Sequence, residues 1–194
     1  MELEKEVRYQ VSDQEFETIK QICVPQSSPV NMIDITMGMY GKDSLAKTGR
    51  IFRVRQKPNK ITLEIKKRLA TNEWLEESIK LDSVNQGVNF LALSGMTPYL
   101  LIKRRRTNYS YDGLKISLDD VDMLGKFVEI EYQDSKDGLL DLENFVYEAG
   151  LRDHTPAPLY GDIIINKQAT DSKWAKEYNQ KLLEVVEAHS SEKY

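Results

Sequence analysis

Along much of the chain, apolar and charged residues alternate one by one, which predicts β-strands with one apolar and one charged face. In the first such segment Glu4, Glu6 and Arg8 share a face. A weaker alternation of apolar and polar residues covers residues 31–40. These residues belong to a longer segment, residues 25–47, which fits either a lid or a strand followed by a loop. The further predicted strands cover residues 50–56, 61–67, 74–81, 101–111, 114–119 and 126–133. The sequence therefore predicts a largely antiparallel sheet.

Four other segments space their apolar residues three to four positions apart, as amphipathic helices do. Ser12 and Glu15 form a capping-box pattern at the start of the first one. The predicted helices cover residues 13–22, 83–93, 138–149 and 172–188. Together with the strands they predict one α+β domain over residues 1–170, on which residues 171–194 pack as a C-terminal helix.

The charged strand faces allow two interpretations. A sheet that packs one face on helices and exposes the other to water would also alternate in this way. Here, however, acids and bases are sorted into pairs on single strands, namely Glu4 with Glu6, Glu129 with Glu131, Arg53 with Arg55, and Arg104 with Arg106. Carboxylates spaced about 7 Å apart along a strand suit Mg²⁺, which also takes phosphate ligands. Arginines in pairs suit phosphate oxygens, so together these residues describe a site for a polyphosphate and a metal ion.

Such a site requires the sheet to curl on itself, so that the charged faces line a lumen and the apolar faces pack outward under the helices. This arrangement inverts the usual barrel. Buried charges are costly unless opposite charges pair or a ligand fills the lumen. We therefore expect an eight-stranded antiparallel barrel with a charged interior and helices outside.

Composition narrows the alternatives. A net charge of −4 and a pI near 5.4 argue against a dedicated nucleic-acid-binding protein. The apolar runs are too short to span a membrane. The single cysteine, Cys23, cannot form an internal disulfide, and residues 1–6 do not resemble a secretory signal, so a cytoplasmic location is expected. Two histidines leave little for histidine-based catalysis or a zinc site.

Several motifs occur in a recognisable order. The most specific is Leu118-Asp119 followed by Leu124-Gly125-Lys126-Phe127-Val128-Glu129-Ile130-Glu131. The others are Glu4-Lys5-Glu6-Val7-Arg8, Gly49-Arg50-Ile51-Phe52-Arg53-Val54-Arg55, Leu63-Glu64-Ile65-Lys66, Leu75-Glu76-Glu77-Ser78-Ile79, Lys103-Arg104-Arg105-Arg106-Thr107-Asn108-Tyr109 and Pro158-Leu159-Tyr160-Gly161-Asp162. This ordered set, over residues 1–165, resembles the CYTH superfamily of class IV adenylyl cyclases, thiamine triphosphatases and related triphosphate tunnel metalloenzymes. Arg8 departs from it, because the family usually has lysine there.

The resemblance implies an antiparallel eight-stranded tunnel that binds a triphosphate with Mg²⁺ or Mn²⁺. It assigns phosphate oxygens to the basic residues Arg53, Arg55, Lys66, Arg104 and Arg106, assisted by Arg8. It assigns the metal ions to the acids Glu4, Glu6, Glu129 and Glu131. Asp119 and Glu77 are expected to be further inward-facing acids, with Glu76 as the alternative to Glu77. The strand over residues 74–79 lacks the arginine that often precedes these glutamates in the family.

Three functions stay open at this point. The first is hydrolysis of a small organic or inorganic triphosphate, and the second is cyclisation of ATP to cyclic AMP with release of pyrophosphate. The third is non-catalytic binding of a polyphosphate or nucleotide. In each case the expected partner is a small-molecule triphosphate, with neither nucleic acid nor membrane, and the protein is expected to be a monomer or a homodimer.

Overall fold

The computed structural model describes residues 2–70 and 73–190, with side chains for residues 5–70 and 73–189. The strands are β1 (Glu2–Val11), β2 (Val24–Pro25), β3 (Val30–Gly38), β4 (Arg50–Lys57), β5 (Lys60–Ala70), β6 (Glu73–Leu81), β7 (Thr97–Tyr111), β8 (Leu114–Val121) and β9 (Gly125–Glu131). The helices are α1 (Asp13–Ile22), α2 (Ser44–Thr48), α3 (Val84–Leu93), α4 (Lys136–Glu148), α5 (Tyr160–Thr170) and α6 (Ser172–Ser190), with a 3₁₀ turn at Gly41–Asp43 before α2.

Within the described residues, eight strands form one closed antiparallel ring. Their order is β7-β3-β4-β5-β6-β1-β9-β8, and β8 pairs back onto β7. The two-residue β2 lies outside the ring and pairs only with β7 among the described strands. Closure gives each strand of the ring two neighbouring strands, and the pairing is staggered: Glu2–Lys5 of β1 pair with β6, and Glu6–Val11 pair with β9. The predicted α+β class and eight-stranded antiparallel barrel are confirmed.

The apolar faces of the strands point outward and are covered by helices in two places. Val54 and Leu101 belong to a core cluster that includes Val88 of α3, Ile164 of α5 and Tyr178 of α6. On the other side of the ring, strand residues of β8 and β9 pack with residues of α1 and α4, namely Leu118, Ile130, Ile19 and Phe145. The hydrophobic effect therefore stabilises the outside of the ring, which leaves its charged faces to point inward.

The start of α1 follows a local sequence signal. The Ser12 hydroxyl accepts a hydrogen bond from the Glu15 amide, and the Glu15 carboxylate accepts one from the Ser12 amide, which completes the predicted capping box.

At the C-terminal end of the chain, α6 is held to the ring by Tyr178. Its hydroxyl accepts a hydrogen bond from the Leu101 amide at 2.7 Å and donates one to the Leu101 carbonyl at 2.8 Å.

Four elements differ from the sequence-based expectation, of which the short β2 and α2 have no predicted counterpart and β3 and α5 are the longer ones. β3 is a full strand of the ring, although the pattern over residues 31–40 is faint, because residues on both of its faces are buried. Helix α5 has no counterpart among the predicted helices, because Ile163, Ile164 and Ile165 are consecutive and produce no apolar stripe of helical period. Among the described helices, none combines the length and the apolar character needed to cross a membrane.

Candidate functional site

The ring encloses a cavity of about 700 Å³, a volume within the usual range for small-molecule sites. Charged side chains dominate its middle. Those that line it include Glu6, Arg8, Arg53, Arg55, Lys66, Glu76, Arg104, Arg106, Glu129 and Glu131. The inward direction of these side chains follows from the two-residue period of a strand, because the alternate residues of β3, β4, β7, β8 and β9 belong to the apolar clusters outside the ring.

The register between neighbouring strands places acids directly across from bases. Four cross-strand pairs of this kind are Arg53 with Glu64, Lys66 with Glu76, Arg106 with Asp119, and Arg8 with Glu129. The Arg53 Nε donates to Glu64 Oε2 at 2.6 Å, and Lys66 Nζ lies 2.8 Å from Glu76 Oε2. Directly opposed side chains of opposite charge stabilise a sheet. Because the guanidinium groups are paired in this way, the lumen can exist without a ligand.

Asp34 of β3 holds three of the lumen arginines and was not predicted as a site residue. It is fully buried, and its two carboxylate oxygens accept hydrogen bonds from Arg55 at 2.7 and 2.9 Å. Arg104 approaches it to 3.0 Å and Arg53 to 3.9 Å. Burial alone would raise the pKa of Asp34, but Arg55, Arg104 and Arg53 together hold that pKa well below its usual range. Asp34 is therefore a buried anion that orients the phosphate-binding candidates.

Asp119 and Glu129 hold a second group of bases. Arg106 donates two hydrogen bonds to Asp119, at 2.7 and 2.6 Å, and a third to Glu129 at 3.0 Å. Arg8 contacts the other oxygen of Glu129. The Tyr160 hydroxyl, from the start of α5, donates to Asp119 at 2.8 Å. Burial and the nearby Asp119 raise the pKa of Tyr160 well above its usual value, so the hydroxyl keeps its proton and its role as a donor.

One buried donor in the lumen is left without an acceptor. Among the described residues, Arg104 Nε has no hydrogen-bond partner, and it lies 3.6 Å from the Oδ2 atom of Asp119. An unsatisfied buried donor is costly, and burial lowers the pKa of Arg104 although Asp34 and Asp119 lie beside it. A donor in this position is suited to an anion that enters the cavity.

Glu6 and Glu131 are two acids that face each other across β1 and β9, although Glu131 also faces Lys115 of β8, whose Nζ lies 3.2 Å from its carboxylate. Both line the cavity. Opposed side chains in an antiparallel pair lie close enough to share one ion, and Mg²⁺ commonly takes one or two carboxylates and completes its shell with water and phosphate. The hard oxygen donors of Glu6 and Glu131 therefore fit Mg²⁺ or Mn²⁺. No group of three metal-ligating side chains occurs within the part of the chain that the structure describes.

The two other predicted metal ligands are Glu129 and Glu4. Both oxygens of Glu129 are engaged by guanidinium groups, one by Arg8 and the other by Arg106. Glu4 lies in β1, but its side chain is outside the described residues. Their assignment to a metal ion stays a prediction.

The choice of Glu77 over Glu76 is wrong. Glu77 is exposed and lies on the outer face of β6, whereas Glu76 lines the cavity and pairs with Lys66. Residues that are adjacent in a strand point to opposite sides, so only one of two consecutive glutamates can face the lumen. Trp74, two positions before Glu76, also lines the cavity. Trp74 and Glu76 therefore lie on the inner face of β6, and Glu77 lies on its outer face.

Neutral substitutions of Glu76 and Glu77 test which of the two side chains faces the lumen. Glu76→Gln removes a negative charge from the lumen and the 2.8 Å ion pair with Lys66, so we expect it to tighten metal-free binding of tripolyphosphate at least about fivefold. Glu77→Gln, on the outer face, is expected to leave that affinity within about twofold. Isothermal titration calorimetry measures both. Equal effects of the two substitutions would contradict the observed phase of β6.

Sequence reasoning missed Asp34, Glu64 and Tyr160. The alternation did place Glu64 on the charged face of its strand with Lys66, and this was the available signal. Asp34 could have been found as an acid between Ile33 and Ile35, a context in which a carboxylate is rare unless it is paired. The role of Tyr160 had no local signal, because it depends on where α5 packs.

Comparison with known proteins identifies one matching family and several structures of similar fold. A family model described as the CYTH domain matches residues 2–143. No curated protein matches the chain. A Pyrococcus horikoshii protein is similar in structure, with a TM-score of 0.71 and 24% identity over 84% of this chain and 99% of its own. A candidate adenylate cyclase from Vibrio parahaemolyticus has a TM-score of 0.64 and 19% identity over 84% and 98%. A candidate adenylyl cyclase from Hippeastrum, described as having a dominant triphosphatase activity, has a TM-score of 0.61 and 16% identity over 86% and 96%.

Proposed function

This chain belongs to the CYTH domain family, and from that premise we propose that it hydrolyses the terminal phosphoryl group of a small triphosphate in the presence of Mg²⁺ or Mn²⁺. The observation that carries the proposal is the convergence of inward-facing guanidinium groups on one enclosed cavity, with two opposed carboxylates, Glu6 and Glu131, at its wall. Phosphoryl transfer needs mainly positioning and charge stabilisation, and the lumen offers both.

The bases of the lumen are the proposed phosphate ligands. These are Arg8, Arg53, Arg55, Lys66, Arg104 and Arg106. Each of them already has an acid as its partner, so binding a triphosphate requires the guanidinium groups to share their donors between carboxylate and phosphate oxygens. Arginine has five donors in a planar fork and can make such shared contacts. The unpartnered Nε of Arg104 is available for a phosphate oxygen without breaking any contact among the described residues.

The acids of the lumen have two proposed roles. Asp34 and Asp119 keep the arginines in place, and Tyr160 in turn holds Asp119 through its hydrogen bond. Glu6 and Glu131, with Glu4, are the proposed holders of the divalent cation. A cation bound there would neutralise charge on the transferring phosphoryl group and orient its oxygens. The charged side chains of the lumen are largely buried, and a lower dielectric constant strengthens the interactions between them.

Hydrolysis and cyclisation use the same charges but release different products. The dominant triphosphatase activity described for the structurally similar Hippeastrum protein supports hydrolysis as the first candidate. The test is to incubate the protein with ATP, thiamine triphosphate or tripolyphosphate and Mg²⁺ or Mn²⁺, and to measure orthophosphate and pyrophosphate. Orthophosphate is expected. Pyrophosphate together with cyclic AMP would contradict hydrolysis, and tight binding without turnover under either metal would contradict an enzymatic function.

Arg106 and Arg105 offer a matched test of phosphate binding, because they are adjacent in β7 and point to opposite faces. Arg106→Lys keeps the charge but loses the bidentate fork, so we expect KM for the triphosphate to rise about tenfold with a smaller effect on kcat. Arg105 is exposed, and Arg105→Lys is expected to leave both constants unchanged. Steady-state kinetics over a range of triphosphate concentrations measure the difference. An unchanged KM in Arg106→Lys would remove this residue from the site.

A further inference from the structure

The outer surface of the ring carries an apolar area between its two groups of helices. In the order of the ring, β5 and β6 lie between the strands of the first core cluster and those of the second. Ile65 of β5 and Leu75 of β6 are half-buried and, among the described residues, belong to neither cluster. Ile79 of β6 is 57% exposed. Because the ring turns its apolar faces outward, these side chains face water wherever no helix covers them.

The strand register joins these residues into one surface. Ile65 lies between Phe52 of β4 and Glu77 of β6, and Lys67 lies opposite Leu75. Paired strands are about 5 Å apart, and alternate residues are about 7 Å apart along a strand, so the outward side chains are direct neighbours. We call this surface the outer patch, and it consists of Phe52, Leu63, Ile65, Lys67, Leu75, Glu77 and Ile79.

We propose that the outer patch is the interface through which two copies of this chain form a dimer. The arrangement of its two charges supports a second copy as the partner. Ile65, Glu77, Leu75 and Lys67 form the corners of a rectangle, in which Ile65 and Leu75 occupy one diagonal and the two charges occupy the other. A twofold axis along the apolar diagonal places Lys67 of each copy against Glu77 of the other. It also places Ile65 and Leu75 against their own counterparts.

The balance of charges favours this partner over a membrane or a nucleic acid. The outer patch combines one acid and one base with five apolar residues, so it has no net charge. Anionic membranes and nucleic acids are bound by surfaces with an excess of Lys and Arg. A contiguous apolar surface typically marks a contact between proteins, and charges that pair across a twofold axis make this one complementary to itself.

This interface is independent of the triphosphate function proposed above. None of the described side chains of the outer patch lines the cavity, because they occupy the outward positions of β4, β5 and β6. Lys67 and Glu77 are exposed, so both are available to a second copy without a change in the ring.

The first test is the mass of the full chain in solution, measured by sedimentation velocity from about 1 to 100 µM. At the upper concentration we expect twice the chain mass of 22.4 kDa. Ile79→Asp is expected to raise Kd of the dimer at least about 30-fold, because it places a charge among apolar side chains of the interface. The matched control is Leu140→Asp on α4, a residue of similar exposure at 52%. It should change Kd less than about twofold.

Charge reversal tests the pairing itself. Lys67→Glu and Glu77→Lys, each made alone, place like charges against each other across the interface and are expected to raise Kd of the dimer at least about tenfold. The double variant Lys67→Glu/Glu77→Lys restores opposite charges at both contacts. Its Kd should return to within about threefold of the value for the unsubstituted protein.

A monomer over the whole concentration range would overturn the proposal and leave the outer patch to a different protein. A dimer that persists in Ile79→Asp would overturn it as well, since the contact would then lie on another face. So would a double variant that stays as weak as its single variants. Circular dichroism checks the fold of each variant, and the charge reversals at the exposed Lys67 and Glu77 retain the test if Ile79→Asp does not fold.

Discussion

Replacing Glu6 by glutamine is expected to lower the rate of metal-dependent phosphate release at least about 100-fold while the protein stays folded. Charge stabilisation by a catalytic cation contributes several kcal/mol to phosphoryl transfer, and each 1.36 kcal/mol is a factor of ten in rate. Glutamine keeps the shape of glutamate but binds hard cations weakly. The fold should survive because Arg8, the lumen base 3.5 Å from Glu6, keeps its stronger contact with Glu129. The measurement is the rate of phosphate release at saturating triphosphate over a series of Mg²⁺ and Mn²⁺ concentrations.

Glu131→Gln is expected to behave like Glu6→Gln, since the two acids oppose each other. The control is Glu73→Gln, on the outer face of β6, where the carboxylate pairs with Lys5 at 3.6 Å. It should retain the full rate, and circular dichroism should report the same fold for all three variants. A near-normal rate in Glu6→Gln would show that the cation is held elsewhere. A loss in the Glu73→Gln control would show that the effect is not specific to the lumen.

Replacing Asp34 by asparagine is expected to lower the free energy of unfolding by about 3–5 kcal/mol, the usual effect of removing one partner from a buried ionic group. The physical reason is that the positive charges of three guanidinium groups are neutralised in part by Asp34. Arg55 makes two hydrogen bonds to Asp34, and Arg104 and Arg53 also approach its carboxylate. Without it, three buried or half-buried guanidinium groups repel one another. Urea titration followed by circular dichroism measures the difference.

The same substitution has a further consequence for anion binding. A triphosphate can replace the missing negative charge, so excess tripolyphosphate should raise Tm of Asp34→Asn more than Tm of the unsubstituted protein. Asp120→Asn is the matched control, because Asp120 is an exposed aspartate on the outer face of β8. It should change stability by less than about 0.5 kcal/mol. Equal stability of Asp34→Asn and the unsubstituted protein would contradict the central role of Asp34 in the lumen.

The pH dependence of this difference has a definite sign. The pKa of Asp34 in the folded protein lies below its ordinary value of 3.8, because the three arginines favour the charged form. A carboxylate with a lowered pKa stabilises the fold fully above its unfolded-state pKa, and this contribution is lost as the pH falls below it. The stability difference between the unsubstituted protein and Asp34→Asn should therefore be constant above about pH 5 and shrink below pH 4. A difference that grew on acidification would have the wrong sign.

Much of the ring could be predicted from sequence because strands with one apolar and one charged face have a strict two-residue period. This period assigned Glu6, Arg8, Arg53 and Arg55 to the face that lines the cavity. It failed at Glu76 and Glu77, where two identical residues are adjacent and the phase depends on which way Trp74 points. The alternation of apolar and charged residues was also weak over β3, because both faces of this strand are buried.

The amino-acid sequence by itself determined which side chains are available for the site, which strand face most of them occupy, and where helix α1 begins at Ser12. These are local properties, set by residue spacing and by hydrogen bonds between near neighbours. Only the tertiary structure decided that Asp34 meets Arg55 and Arg104 and that Tyr160 reaches Asp119. Those contacts join residues far apart in the chain, and they follow from the register and closure of the ring, which arise when all eight strands pair together.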